Sequence, residues 1–400
     1  MVQCPDRIIA SIDTGVDDAL ALAYLLGSTD ECELGGVIAS YGNVDANTAY
    51  ANTRAVLDLF GRADIPVFLG SEHPSWADAF IPDAGCAQFH GDDGLGNTWL
   101  AGSGALADGA GVPGDDMSGD DMSVDVPDGV VSVGGYLAGD VHAHPALGSY
   151  PRVGRSRSVD RPQSATSTAL VSGGTRRCSV DAADGIEYLI EQVREFGRAV
   201  TVLSTGPLTD VDAAITRAPD IASKLRLVMM GGTLTQPGNC WDAVAETNII
   251  QDPEAANRVF HSGADITMVG LDVTHQCLLT RSAADQWRAT GTKRGRFLAD
   301  LADFSIKANL EADPALFSGG MPLHDPLAAA VALDSSLVDC FDLALRAETN
   351  TGDFNGVRGR TTGDPVGLVN HSMPHVHVAL GVDSGRFLDE FAERMAEVCR

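Results

Sequence analysis

Four hundred residues with 44% hydrophobic content supply ample material for a large core. A net charge of −28 disfavours nucleic acid and anionic membranes as partners, and no apolar run reaches the roughly 18 residues that a membrane span needs. Only 27 basic residues, three of them lysine, stand against 55 acids, a balance suited to a halophilic setting in which salt screens self-repulsion.

The N-terminal M-V-Q-C-P-D-R lacks a basic stretch followed by an apolar one, so no secretory signal is expected. Eight scattered cysteines without a C-x-x-C pair read as reduced thiols of a cytoplasmic protein.

Residues 7–12 (R-I-I-A-S-I) form an apolar run of strand type, and residues 17–26 alternate at helical spacing. Between them, S-I-D-T-G-V-D-D-A-L-A places Asp13, Asp17 and Asp18 on a tight strand-to-helix turn, with Gly15 as its flexible point. Carboxylates crowded in this way repel one another unless a cation holds them together. A hard, oxygen-seeking ion such as Ca²⁺ or Mg²⁺ does so. Helix capping by aspartate accounts for one acid well, two adequately and three poorly. The metal reading therefore leads.

Further strand-like runs follow at 35–40, 65–69, 199–203, 225–230 and 266–270, with helical patterns at 46–60, 182–196 and 253–262. This alternation predicts a single large α/β domain whose central, mostly parallel sheet is flanked by helices. Ligands of such sheets bind beyond the carboxyl ends of the strands. The turns at 13–18, 41–43, 205–209, 231–248 and 271–274 all follow predicted strand ends.

One stretch breaks the pattern. Residues 101–150 carry eight acids and no Lys or Arg, while 151–180 carry six Arg and one acid, amid abundant Gly, Ser and Ala. Its composition reads as a disordered or poorly packed insertion at about 101–180, with His142 and His144 solvated in it.

Ordered segments then accumulate around the first cluster: Y-G-N-V at 41–44, H-G-D-D-G-L-G at 90–96, S-T-G-P-L-T at 204–209 and M-M-G-G at 229–232. They continue with P-G-N at 237–239, A-E-T-N-I at 245–249, D-P-E-A-A at 252–256, G-L-D-V-T at 270–274 and P-L-H-D-P at 322–326. In this order, over about 5–97 and 181–398, they resemble the inosine-uridine-preferring nucleoside hydrolases. The resemblance implies a Rossmann-like core and a Ca²⁺-dependent N-ribohydrolase serving purine and pyrimidine salvage. It also implies a ribonucleoside as the small-molecule partner and a homodimer or homotetramer as the assembly.

For single residues the resemblance implies that Asp13 ligates calcium and acts as general base, and that Asp18 is a second ligand. The main-chain carbonyl of Thr205 and the carboxylate of Asp325 complete the protein ligands, and Asp325 also faces the substrate. Asp17, Asn239, Glu246 and Asn248 match ribose-gripping residues, Met230 matches the residue near the sugar's 5′ end, and Asn43 a polar neighbour of the acids. His324 matches a histidine that helps the leaving base depart, and His90 one that lines the base site.

Departures stand beside the matches. Ser11 occupies a position where the family has an acid, Thr14 one where proline is usual, Thr247 a phenylalanine position and Asp210 an asparagine position. Asp252 and Asp272 read as caps or turn formers, and Trp76, Phe80 and Trp287 as packing residues. Two other classes compete: a nucleoside- or ribose-binding relic without turnover, and a haloacid-dehalogenase-type phosphatase. The latter needs an acid at position 15, which is glycine. Base preference is not legible in the loops.

Overall fold

The computed structural model describes residues 6–82, 84–98, 183–240, 243–351 and 357–400. The proposed insertion at 101–180, with His142 and His144, lies outside the described residues. Among the described residues, no helix is long and apolar enough to cross a membrane.

From residue 6 to residue 90 the chain alternates strictly. It runs β1 (Asp6–Ile12), α1 (Val16–Leu26), β2 (Cys32–Ala39), α2 (Ala46–Leu59), β3 (Val67–Leu69) and α3 (Ala84–His90). After the undescribed segment come α4 (Ala183–Phe196), β4 (Val200–Ser204), α5 (Thr209–Arg217), β5 (Arg226–Met230), α6 (Thr247–Gln251), α7 (Pro253–Phe260) and β6 (Asp265–Val269). The remainder comprises α8 (Leu271–Thr274), β7 (Leu278–Leu279), α9 (Arg281–Ala289), α10 (Lys293–Ala312), β8 (Met321–Pro322) and α11 (His324–Leu333). It closes with β9 (Val338–Leu343), β10 (Leu345–Ala347), β11 (Thr361–Gly363), β12 (Val376–Val382) and α12 (Ser384–Val398).

Eight strands form one sheet in the order β3-β2-β1-β4-β5-β6-β12-β9. All neighbours run parallel except β12 and β9. The expected α/β architecture is the one observed. The two-stranded antiparallel pairs β10–β11 and β7–β8 stand apart from the main sheet.

Both faces of the sheet are covered, which explains the near-continuous apolar runs. Along β1, Ile8, Ala10 and Ile12 join the core beneath α1, α2 and α10–α12, whereas Ile9 joins the core beneath α4, α5 and α7. That alternation follows the two-residue period of a strand. Helix α1 is buried from Val16 to Leu25, so its first turn is anchored on every side. Trp287 packs edge-on against Phe391 in the core, as its packing assignment predicts.

The chain winds outward through β1, β2 and β3, then returns to place β4 on the opposite side of β1. The strand order thus reverses between β1 and β4. At such a switch point, the loops leaving the two strands diverge and open a crevice at their carboxyl ends. Asp13 follows β1 and Thr205 follows β4.

Candidate active site

Four carboxylates meet in that crevice. Asp13 leaves the end of β1, Asp17 and Asp18 occupy the first turn of α1, and Asp325 occupies the first turn of α11. All four are buried. Two helix N-termini therefore aim their positive ends at the cluster, which partly offsets the crowding of negative charge.

The hydrogen bonds hold each acid differently. Asp18 is well supplied: Oδ2 accepts from the Gly15 amide at 2.8 Å and from Asn43 Nδ2 at 3.3 Å, and Oδ1 accepts from Thr205 Oγ1 at 2.6 Å. Asp13 Oδ2 accepts from the Asn43 amide at 2.7 Å, but its Oδ1 has no partner. Asp17 Oδ1 and Asp325 Oδ2 are likewise buried without a hydrogen bond. Oxygens of Asp17, Asp18 and Asp325 all lie within 4.8 Å of one another. Asp13 is not one of that trio, but it is buried beside it and feels the charges of Asp18 and Asp17.

Orphaned buried carboxylate oxygens are costly unless something neutralises them. Burial, reinforced by Asp18, pushes Asp13 well above the usual carboxylate range. Asp325 rises well above it through burial and the charges of Asp17, Asp18 and Asp13. Burial lifts Asp17 to about 6, and burial with the Asp17 charge raises Asp18. This donor set of oxygens alone, with three lone carboxylate oxygens turned inward, fits a hard divalent cation.

Two glycines make room for the group. A side chain at Gly42 would run into Asp13 Oδ2, and one at Gly206 would come within 3.0 Å of Asp13 Cγ. Gly42→Ala should therefore displace Asp13 and cost about 1–3 kcal/mol, as overpacking in a tight site does. Chemical denaturation gives the stability term. Cation titration should show weakened affinity, and unchanged affinity would contradict this placement.

A second ring of residues surrounds the acids. Asn248 Nδ2 donates to the Thr205 carbonyl at 2.7 Å and to the Met230 carbonyl at 3.2 Å, joining the ends of β4 and β5 to α6. Glu246 caps α6: it accepts from the amides of Asn248 and Ile249 and from Gly232, and burial raises its pKa. Asn239 is exposed, and its Oδ1 accepts from the Thr247 amide and hydroxyl. Its described bonds tie it to that turn and not to the carboxylates.

Histidines line one side of the crevice. His90, at the end of α3, accepts from the Val16 amide through Nδ1 at 3.2 Å, and burial lowers it to about 4 against the opposing pull of Asp18. His324 begins α11, and its Nδ1 lies 2.8 Å from Thr274 Oγ1. Burial, then His275 and His90, hold His324 well below the usual histidine range. His275 went unrecognised in the sequence, where the G-L-D-V-T segment stops one residue short of it. Its ring centroid lies 5.7 Å from that of His324, and its own pKa falls to about 4 through burial.

Two departures from the family pattern meet beneath the site. Ser11 Oγ donates to Asp210 Oδ2 at 2.9 Å, while Asp210 Oδ1 accepts from the Ser71 amide at 2.7 Å. The acid absent at position 11 is thus answered by one on α5, in contact with the same strand. Asp252 caps α7 and also accepts from Ser75 and Thr209, and Asp272 accepts from Leu234 and Thr235. Both are the structural aspartates expected. Trp76 is half-exposed and donates to the Gln251 carbonyl, and Phe80 packs on Tyr41.

A doubly covered, mostly parallel sheet with a buried carboxylate cluster at its switch point has the layout of an α/β ligand-binding or active site. Comparison with known proteins makes the class specific. Residues 8–389 match the family model for inosine-uridine preferring nucleoside hydrolases, and the chain belongs to that family. It is accordingly a nucleoside N-ribohydrolase by class.

The chain is 30% identical over 391 residues to the pyrimidine-specific ribonucleoside hydrolase RihA of Enterobacter sp. (strain 638), covering 98% of this chain and 97% of the relative. A purine-preferring ribonucleoside hydrolase from Gardnerella vaginalis superposes with a TM-score of 0.73 at 35% identity, covering 98% and 99% of the two chains. An inosine-uridine preferring nucleoside hydrolase from Bacillus anthracis shares the fold, with a TM-score of 0.62 at 24% identity and 98% and 99% coverage.

Proposed function

We propose that this chain hydrolyses the N-glycosidic bond of ribonucleosides with one bound Ca²⁺, releasing free base and ribose for purine and pyrimidine salvage. The observation that carries the reading is the group of three orphaned, buried oxygens on Asp13, Asp17 and Asp325. Asp13, Asp18, Asp325 and the Thr205 carbonyl would hold the ion, with Asp17 beside them. A cage built mainly of protein oxygens favours Ca²⁺, because Mg²⁺ sheds its water reluctantly. When bound, the ion offsets the cluster's negative charge and supplies Lewis acidity toward an oxygen nucleophile.

The protein's own groups do the rest. Asp13 Oδ1, free of other bonds, takes the proton of the attacking water. The anionic surroundings favour the positive charge that develops on the ribose ring as the C1′–N bond breaks. Asp17, Asn43, Asn239, Glu246 and Asn248 position the sugar, with Met230 near its 5′ end. Asn248 would do so through Oδ1, since its Nδ2 already serves two carbonyls. His324 assists departure of the base and His90 lines its site.

The Enterobacter relative is named for pyrimidines and the Gardnerella enzyme for purines, so the substrate class is ribonucleosides without a finer choice. The retained carboxylate cluster weighs against a binding relic without turnover.

Loss of a buried partner to a sugar hydroxyl costs about 1–3 kcal/mol. Asn248→Ala should therefore lower kcat/KM on uridine by about 10- to 100-fold, and 2′-deoxyuridine should be a poor substrate of the parent enzyme. Reducing-sugar release measures both. Equal rates on uridine and deoxyuridine would count against this ribose site.

A further inference from the structure

We infer that Thr274 is a positioning residue for His324: its hydroxyl donates to Nδ1 and thereby keeps the ring's proton on Nε2, the nitrogen left for the departing base. This inference rests on the hydrolase reading above and adds a residue to it.

The geometry begins with α8. Thr274 is its last residue, fully buried, and its backbone amide is spent on the Gly270 carbonyl. The side-chain Oγ1 lies 2.8 Å from His324 Nδ1, its one hydrogen bond among the described residues. A hydroxyl can donate or accept there, whereas a neutral imidazole carries one donor and one acceptor nitrogen. If Nδ1 donated, the hydroxyl hydrogen would be buried without an acceptor, which costs free energy. Donation by Thr274 leaves neither group unsatisfied and fixes the Nε2–H tautomer.

A second ring in the crevice has a donor at the same nitrogen, with Asp17 Oδ1 farther off at 3.6 Å. His90 Nδ1 accepts from the Val16 backbone amide, which can only donate, so in its neutral form His90 also carries its proton on Nε2. His275 flanks His324 at a 59° tilt and is itself held edge-on by Phe317, with ring centroids 5.4 Å apart. The His324 ring is thus fixed by a donor at one nitrogen and a packed face.

The chemistry needs a donor, not a full acid. As C1′–N breaks, its electron pair moves onto the base, and Nε2–H stabilises that charge by a hydrogen bond. Water supplies hydroxide to C1′ and a proton to Asp13, and the base later takes one proton from solvent as Asp13 releases its own. A Thr274 side chain that could not donate would let the Nδ1–H tautomer form and remove the bond to the base.

Thr274→Val and Thr274→Ser test this on two substrate types, uridine and 4-nitrophenyl riboside. Nitrophenolate leaves without a donor. Thr274→Val should lower kcat on uridine about 10- to 100-fold, part of what a positioned proton donor contributes, and change the nitrophenyl substrate less than about twofold. Thr274→Ser should restore uridine turnover. Nitrogen-15 spectra, with His324 assigned by its loss in His324→Gln, should show Nε2–H in the parent and mixed tautomers in Thr274→Val. Equal loss on both substrates, no loss on uridine, or an Nδ1–H tautomer in the parent would overturn the inference. A parent protein inactive on both substrates would overturn the hydrolase reading instead, while the spectra would still decide the tautomer.

Discussion

Asp13→Ala is expected to reduce turnover on ribonucleosides by at least about 10³-fold, because in the proposed mechanism one side chain serves as both base and ion ligand in the transition state. Structure explains why no neighbour should compensate. Asp18 is occupied by Gly15, Asn43 and Thr205, and Asp17 lies across the group beside Asp325. Asp13 combines a fixed oxygen, bonded to the Asn43 amide, with one that has no partner. Removing it also opens space between Gly42 and Gly206, so water fills the place of the base without its charge. Initial rates at saturating Ca²⁺ separate a weakened ion from a lost base. Near-normal turnover in this variant would sink the assignment.

Chelation should make stability depend steeply on pH. Without an ion, burial raises all four aspartates above their unfolded range, so the folded state keeps protons that the unfolded chain releases near pH 4. Each such group favours the folded state below the unfolded value, and that contribution is lost as pH rises through the folded value. The loss begins near pH 4, continues through about 6 where Asp17 ionises, and extends higher for Asp13 and Asp325. Asp17 alone accounts for on the order of 3 kcal/mol. A bound cation removes the need for those protons, so the loaded protein should hold its stability over the same range and bind the ion more tightly as pH rises. Denaturant titrations from pH 4.5 to 7.5, with Ca²⁺ and with chelator at constant salt, measure the difference. Parallel curves would show that the cluster holds no ion.

Legibility followed sequence distance. The runs at 8–12 and 199–203 overlap β1 and β4 because strands buried on both faces leave unbroken apolar stretches. Strand β9, V-D-C-F-D-L, was not anticipated: it is an edge strand with four exposed residues, and its pattern gives no apolar run. In the site, Asp13, Asp17 and Asp18 could be read together because one turn carries all three. Bonds between distant residues could not. Thr274 and His324 are 50 positions apart, and Ser11 and Asp210 are 199 apart. Ser11 and Asp210 each read as an isolated departure, and only their contact shows that they belong together.

The most direct test of the account is product release from uridine, inosine, cytidine and adenosine in phosphate-free, high-salt buffer containing Ca²⁺. Free base and ribose should appear in equal amounts from at least one of them, and chelation should abolish the release. Absence of base and sugar from all four substrates, or release unaffected by chelator, would contradict it.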